Sequence, residues 1–319
     1  MRANKEMLIV GTLPSTAGIG GVTIHTQRLL DFLNQNHFKF RFIDYKKASL
    51  IQLIYSIATN RIVHFHITNP YAILLFSLIG KICFTKTILT LHGNFGRYNK
   101  VKNTLIKIAL KLTDIPIIIN KKSFNSCKAI NSRCLLIPAF IPPIDSEPLD
   151  TETSGLLTEL KNSGKILCST NAYNIAYDKH GKDIYGIDFL IHEFRSLPDY
   201  ILIISDPSGN YKKKYPNVPA NVFFIDYPHN YFELLKHIDI FIRYTTTDGD
   251  ALSVKESIYL NKKVVCTNVV DRPEGVDLCT LYNHDSFIQA LKDSPKPKTT
   301  EHIQNSAIEI LKLYNTIIQ

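Results

Sequence analysis

The feature that most constrains this chain is an alternation of short β-rich runs with helix-like stretches, repeated from one end to the other. Strands joined by helical crossovers run parallel, and a parallel sheet needs cover on both faces. In the first half the strand candidates are Met7–Val10, Phe38–Ile43, Ile62–His66, Thr87–Leu91, Ile115–Ile119 and Cys134–Ile137. Between them lie amphipathic stretches such as Ile24–Asn34 and Val101–Leu112. In the second half the strand candidates are Lys165–Ser169, Tyr200–Ile204, Val222–Ile225, Ile238–Arg243 and Lys263–Thr267. Helices are expected over Ile187–Arg195, Tyr231–His237, Ser253–Leu260, Asp285–Leu291 and Thr300–Ile318. With 45% apolar and 20% charged residues, the chain has material for a core and no case for global disorder.

A break in this rhythm falls near residues 140–152, where Pro138, Pro142, Pro143 and Pro148 mix with Asp145, Ser146 and Glu147. Prolines at that density interrupt regular structure and stiffen a connection. Charge changes sign at the same place. Residues 1–144 hold 19 Lys+Arg against 4 Asp+Glu, a net of +15, and the remainder holds 18 against 24, a net of −6. The expected domains are 1–145 and 146–319, with the terminal helix 300–318 a candidate to pack back on the first.

Several classes are excluded or disfavoured. The longest apolar candidate, Tyr71–Phe84, is interrupted by Lys81 and falls short of the roughly 18–20 residues of a spanning helix, so it reads as a buried or interfacial helix. Met1–Glu6 lacks a signal peptide's apolar stretch, and the expectation is a cytoplasmic protein. The six cysteines are dispersed, with no metal-ligand spacing to His, and read as reduced buried thiols. Neither a metal site nor a cofactor is expected. Short runs such as Lys121-Lys122 and Lys212-Lys213-Lys214 without a recognisable module make nucleic-acid binding a minor alternative.

Two segments carry chemistry. After Met7–Val10 come Gly11 and then Gly18-Ile19-Gly20-Gly21-Val22, before the helix at Ile24. Glycines let the backbone approach a ligand, and a helix N-terminus offers N–H groups to an anion. Asp44 at the end of the second strand keeps a dinucleotide oxidoreductase as an alternative, although Pro14, Ser15, Thr16 and Ala17 lengthen the turn beyond the compact dinucleotide fingerprint.

The second segment is Phe241–Glu256. An apolar strand ends in Arg243, a polar loop through Asp248-Gly249-Asp250 follows, and a helix starts near Ser253. The guanidinium and the helix N–H groups make a site for a di-anion such as a pyrophosphate, and Glu256 can accept from two neighbouring hydroxyls, as on a ribose. Ser253-x-x-Glu256 is equally a capping box, which explains both residues without a ligand.

This segment resembles the donor-site motif of the retaining GT-B glycosyltransferases of family 4, with Asp248 and Glu256 as the two acidic residues that flank seven others. Ser257–Thr267 resembles the helix, turn and buried strand that follow. Asp271-Arg272-Pro273-Glu274-Gly275-Val276 resembles a loop found in a subset, Gly20-Gly21-Val22 the N-terminal glycine loop, and Thr90-Leu91-His92-Gly93 the strand end that carries the active-site histidine. Asp183–Asp188 stands where a Lys-Gly-hydrophobic-Asp segment is usual.

The resemblance implies an α/β chain of GT-B type, two Rossmann-like domains facing across a cleft. It implies transfer of a sugar from a nucleotide diphosphate-sugar with retention of configuration and no divalent metal. Glu256 would hold the ribose and Asp248 would face the donor sugar. Gly249, Asp250, Ala251, Leu252 and Ser253 would line the sugar and phosphate, and Arg243 would neutralise the pyrophosphate. His92 would contact the sugar, with a core histidine as the alternative, and Gly20 and Gly21 would close over the phosphates.

Where a basic residue is usual after the first strand of the second domain, this chain has Ser169-Thr170-Asn171, and Tyr185 replaces the usual lysine. Asn171 is therefore a donor-site candidate, and Lys182 or Lys179 a substitute for the missing cation. The acceptor implied is a glycan or a polyprenyl-diphosphate-linked glycan in bacterial polysaccharide synthesis. The basic and apolar first half fits an anionic membrane surface on the cytoplasmic side.

Overall fold

The computed structural model describes residues 7–14, 21–144, 147–178, 180–248, 251–293, 303 and 305–318. Gly20, Lys179, Gly249 and Asp250 lie outside the described residues. The chain divides into two compact units, Met1–Ile144 with Gln304–Gln319, and Asp145–Ile303.

Unit 1 runs β1 (Met7–Gly11), α1 (Gly21–Gln35), β2 (Phe40–Asp44), α2 (Leu50–Thr59), β3 (Ile62–Ile67), α3 (Pro70–Ile82), β4 (Lys86–Leu91), α4 (Lys100–Leu112), β5 (Ile115–Ile118), α5 (Lys121–Ile130) and β6 (Leu135–Leu136). The sheet order is β2-β1-β3-β4-β5-β6. Every pairing is parallel, for example Met7 with Ile62 and Ile88 with Ile115. The period of two along each strand divides the core. Leu8, Val10, Val63, Phe65, Leu89 and Leu91 face the side packed by α2 to α5. Met7, Ile9, Ile62, Ile88 and Ile117 face α1. Asparagines fix three helix starts: Asn69 accepts from Tyr71 N with Pro70 just inside α3, Asn99 caps α4, and Asn120 caps α5.

Unit 2 runs α6 (Thr151–Asn162), β7 (Ile166–Asn171), α7 (Ile187–Phe194), β8 (Tyr200–Ser205), α8 (Asn210–Lys214), β9 (Val222–Ile225), α9 (Tyr231–His237), β10 (Ile240–Arg243), α10 (Leu252–Tyr259), β11 (Lys263–Thr267), β12 (Asp277–Cys279) and α11 (His284–Lys292). Its sheet is also wholly parallel, in the order β12-β11-β10-β7-β8-β9. Cys168, Leu202, Ile204, Ile240 and Ile242 pack against α7 and α11. Leu167, Ile201, Ile203, Phe241 and Val264 pack against α6, α9 and α10.

The last helix, α12 (Ser306–Ile318), belongs to unit 1. Ala307, Ile310 and Tyr314 are buried with Met7, Ile9 and Ile88, and the Tyr314 ring lies 5.4 Å from that of Phe38. The order of elements reverses between β1 and β3 in unit 1 and between β7 and β10 in unit 2. Ligands of open parallel sheets bind beyond the strand C-termini at such switch points.

Candidate functional site

In unit 2 the switch point is occupied by a charged cluster. β7 ends in Asn171 and β10 ends in Arg243. Arg243 grips Asp248 with two parallel bonds, Nε to Oδ2 at 3.0 Å and Nη2 to Oδ1 at 3.1 Å. Its Nη1 donates to the backbone oxygen and to Oδ1 of Asn171, both at 3.3 Å. Arg272 approaches Asp248 from the loop after β11, with Nη1 2.7 Å from Oδ2. The other nitrogens of Arg272 donate to Thr267 O at 3.2 Å and Thr245 Oγ1 at 3.2 Å. The side chains of Arg243, Asp248 and Arg272 are 13%, 6% and 3% exposed.

Burial alone would push the Asp248 carboxyl up, but the hydrogen bonds and charges of Arg243 and Arg272 outweigh it and hold the group below the ordinary carboxylate value. Burial also disfavours the Arg243 charge, and Asp248 more than offsets that. Two guanidiniums against one carboxylate leave these three residues with one net positive charge.

α10 begins beside the cluster. Its N-cap is Ala251, which makes no side-chain capping bond, so the capping box expected at Ser253 does not form. Ser253 sits inside the first turn, after Leu252, and its Oγ donates to Asn171 Oδ1 at 3.2 Å. Glu256 is 5% exposed on the buried side of the helix. Asn171, Arg243, Asp248 and Ser253 are thus brought together. Lys182 is not part of this group: its Nζ lies 4.3 Å over the Tyr282 ring. It lines a separate pocket of about 300 Å³ with Tyr177, Asp188 and Lys214. The cation that sequence reasoning missed is Arg272. Its signal was the Asp271–Val276 loop, noted for resemblance but given no role.

The backbone around the cluster is held by Gly186, at φ +55°, where a Cβ would come 2.5 Å from Tyr244 Cδ1. Tyr185, in the position expected to be lysine, puts its ring 5.2 Å from Arg243 Cζ.

In unit 1 the switch point carries imidazoles. His92 follows β4 and is 7% exposed, and its Nε2 lies 3.1 Å from Nδ1 of His66 on β3. His25, on the first turns of α1, bonds through Nδ1 to Ala139 O at 2.7 Å. His64 is tied through Nε2 to Thr90 Oγ1 at 2.8 Å and through Nδ1 to the Tyr314 hydroxyl at 2.5 Å. Burial, reinforced by the neighbouring imidazoles, lowers His64 to about 3 and holds His66 and His92 well below the ordinary value. All three are neutral at physiological pH. Gly21 opens α1, and a Cβ there would meet nothing within 4 Å.

Two parallel six-stranded Rossmann-like sheets with interleaved helices define a chain of GT-B architecture. No family model and no curated protein matches the sequence. Solved structures do match the fold. HepE from Anabaena, solved in complex with UDP and glucose, has 12% identity over 98% of each chain and a TM-score of 0.65. The trehalose-6-phosphate synthase OtsA has 12% identity over 98% of each chain and a TM-score of 0.63. Sucrose-phosphate synthase from Thermosynechococcus elongatus has 11% identity over 98% of this chain and 99% of that chain, with a TM-score of 0.60.

Proposed function

We propose that the chain is a glycosyltransferase that takes a sugar from a nucleotide diphosphate-sugar, and that unit 2 binds the donor. The observation that carries this reading is the Arg243–Asp248–Arg272 cluster at the β7/β10 switch point, beside a helix start whose N-cap, Ala251, makes no side-chain capping bond. Fixed guanidiniums and helix N–H groups stabilise the charge that develops on a departing diphosphate. In this proposal Arg243 and Arg272 supply the cation, and Glu256 holds the ribose. Asp248 spends both carboxylate oxygens on the two arginines and sets their orientation. Solved structures of similar fold in complex with UDP and glucose, and with UDP-glucose, support a nucleotide-sugar donor.

The finer reading is a retaining hexosyl transferase of bacterial polysaccharide synthesis that needs no divalent metal for transfer. It acts on a glycan or polyprenyl-diphosphate-linked acceptor, with unit 1 docked on an anionic membrane. No helix among the described residues is long and apolar enough to cross a membrane. The neighbouring helices α2 and α3 nevertheless expose Ile51 at 81%, Tyr55 at 69% and Ile82 at 66%, and Phe84 follows at 86%. Lys46, Lys47, Lys81 and Lys86 lie close by in sequence, a mixture suited to an anionic interface.

A thermal-shift panel of UDP-, GDP- and dinucleotide ligands tests the donor class. A shift with a nucleotide sugar that is lost in Glu256→Ala and Arg243→Ala supports the proposal, and a shift with NAD(H) alone replaces it by the oxidoreductase. Anomeric NMR of the product tests retention, and His92→Ala tests the sugar contact implied for that residue.

A further inference from the structure

The imidazole cluster of unit 1 is larger than a sugar contact requires. One ring nitrogen from each of His25, His66 and His92 lies within 4.8 Å of the other two, and all three residues are buried. The ring centroids form a nearly equilateral triangle with sides of 4.9, 5.2 and 5.4 Å. Three imidazoles bound tetrahedrally at about 2.0–2.1 Å, each ring centre roughly 1.1 Å beyond its nitrogen, place their centroids about 5.2 Å apart. The ring centroids therefore already stand at metal-binding separations, and a bound ion would take the place of the 3.1 Å contact between His66 Nδ1 and His92 Nε2.

Two further observations point the same way. His66 Nε2 is buried with no hydrogen-bond partner, an atom that a folded interior rarely leaves unsatisfied. His25 Nδ1 bonds a backbone carbonyl, which accepts only, so Nδ1 carries a proton and Nε2 is the nitrogen left to bind an ion. A bond of that kind is the usual support of a metal-bound histidine. The His64 ring lies tilted with its centroid 4.1 Å from that of His66 and has both of its own nitrogens engaged, and so braces the ring rather than competing for the ion.

We propose that His25, His66 and His92 form a binding site for a borderline divalent cation such as Zn2+, with a fourth position left for water or another ligand. Three imidazole nitrogen donors without a carboxylate favour zinc-like ions over magnesium or calcium. The bound ion ties α1, β3 and the end of β4 together at the sheet's switch point. This site does not depend on the transferase reading.

The test uses the full chain without a polyhistidine tag, stripped of metal and titrated with Co2+. One equivalent with the intense visible absorption of a four-coordinate ion, displaced by Zn2+ and not by Mg2+, is the expected result. Zn2+ should raise Tm in proportion to the logarithm of its free concentration. His25→Gln and His66→Gln should each abolish the absorption and the Tm rise, whereas His37→Gln, on the exposed surface, should keep both. Absence of a four-coordinate spectrum in the unaltered protein overturns the proposal whether or not the variants fold. A spectrum that survives in a folded His66→Gln variant overturns it as well.

Discussion

Replacing Asp248 by Asn keeps the side-chain shape but leaves the guanidiniums of Arg243 and Arg272 buried without their counter-charge. Three charge-assisted bonds are affected, at 3.0, 3.1 and 2.7 Å. At an effective dielectric of 20 each pair contributes about 4 kcal/mol of gross attraction at a separation near 4 Å. Asn keeps one acceptor oxygen, and both guanidiniums retain other partners, so only part of this is lost. Removing one member of a buried pair costs about 3–5 kcal/mol, and the middle of that range applies here. For a unit of this size a loss of about 4 kcal/mol lowers Tm by roughly 10 °C.

The sign with pH follows from the lowered carboxyl of the folded state. The Asp248 contribution is complete above its unfolded value, near 3.9, and disappears as pH falls through the lower folded value. Wild type and Asp248→Asn should therefore differ most near neutrality and converge in acid. Calorimetry of the full chain reads the shift, and hydrogen exchange on peptides from β7 and β10 assigns it to unit 2. Unchanged stability at pH 7 together with lost transfer would refute the argument. It would return Asp248 to the sugar-facing role that the resemblance implied.

Other perturbations probe separate parts of the fold. Gly186→Ala forces a side chain into left-handed backbone and against Tyr244, and should destabilise unit 2 by about 2–4 kcal/mol in urea unfolding. Tyr314→Ala removes a buried ring from the core shared by α12 and β1, and should cost unit 1 about 3–5 kcal/mol, visible as faster exchange in β1. Ile51→Glu with Phe84→Glu should abolish salt-sensitive retention on anionic vesicles while leaving Tm within about 2 °C, because both side chains are exposed. Unchanged flotation of that double variant would remove α2 and its neighbours as the docking face.

Much of the secondary structure was readable because its signals are local. Val222–Ile225, Tyr231–His237 and Lys263–Thr267 have the observed bounds, and most other expected elements differ by one to three residues. The elements not foreseen are α2, α5, α6, α8 and β12. α6 starts at Asp150, which caps Thr153 N, directly behind a proline-rich stretch that reads as linker. β12 has three residues and joins the sheet only by pairing with β11. The capping box does not form because the helix starts two residues earlier, with Ala251 as its N-cap, and Ser253 instead donates to Asn171, a residue 82 positions away.

By itself the sequence determined the parallel α/β class, the two-part organisation of charge, and Arg243 with Asp248 as residues of interest. These follow from period-two and helical hydrophobic patterns and from a motif contained in sixteen consecutive residues. Only the tertiary structure decided that Asp248 is clasped by a second arginine, Arg272, and that α12 completes the core of unit 1. It alone brought His25, His66 and His92 into one triangle. Contacts between residues 24 to 250 positions apart leave no periodic trace, because they depend on which strand ends the sheet order places side by side.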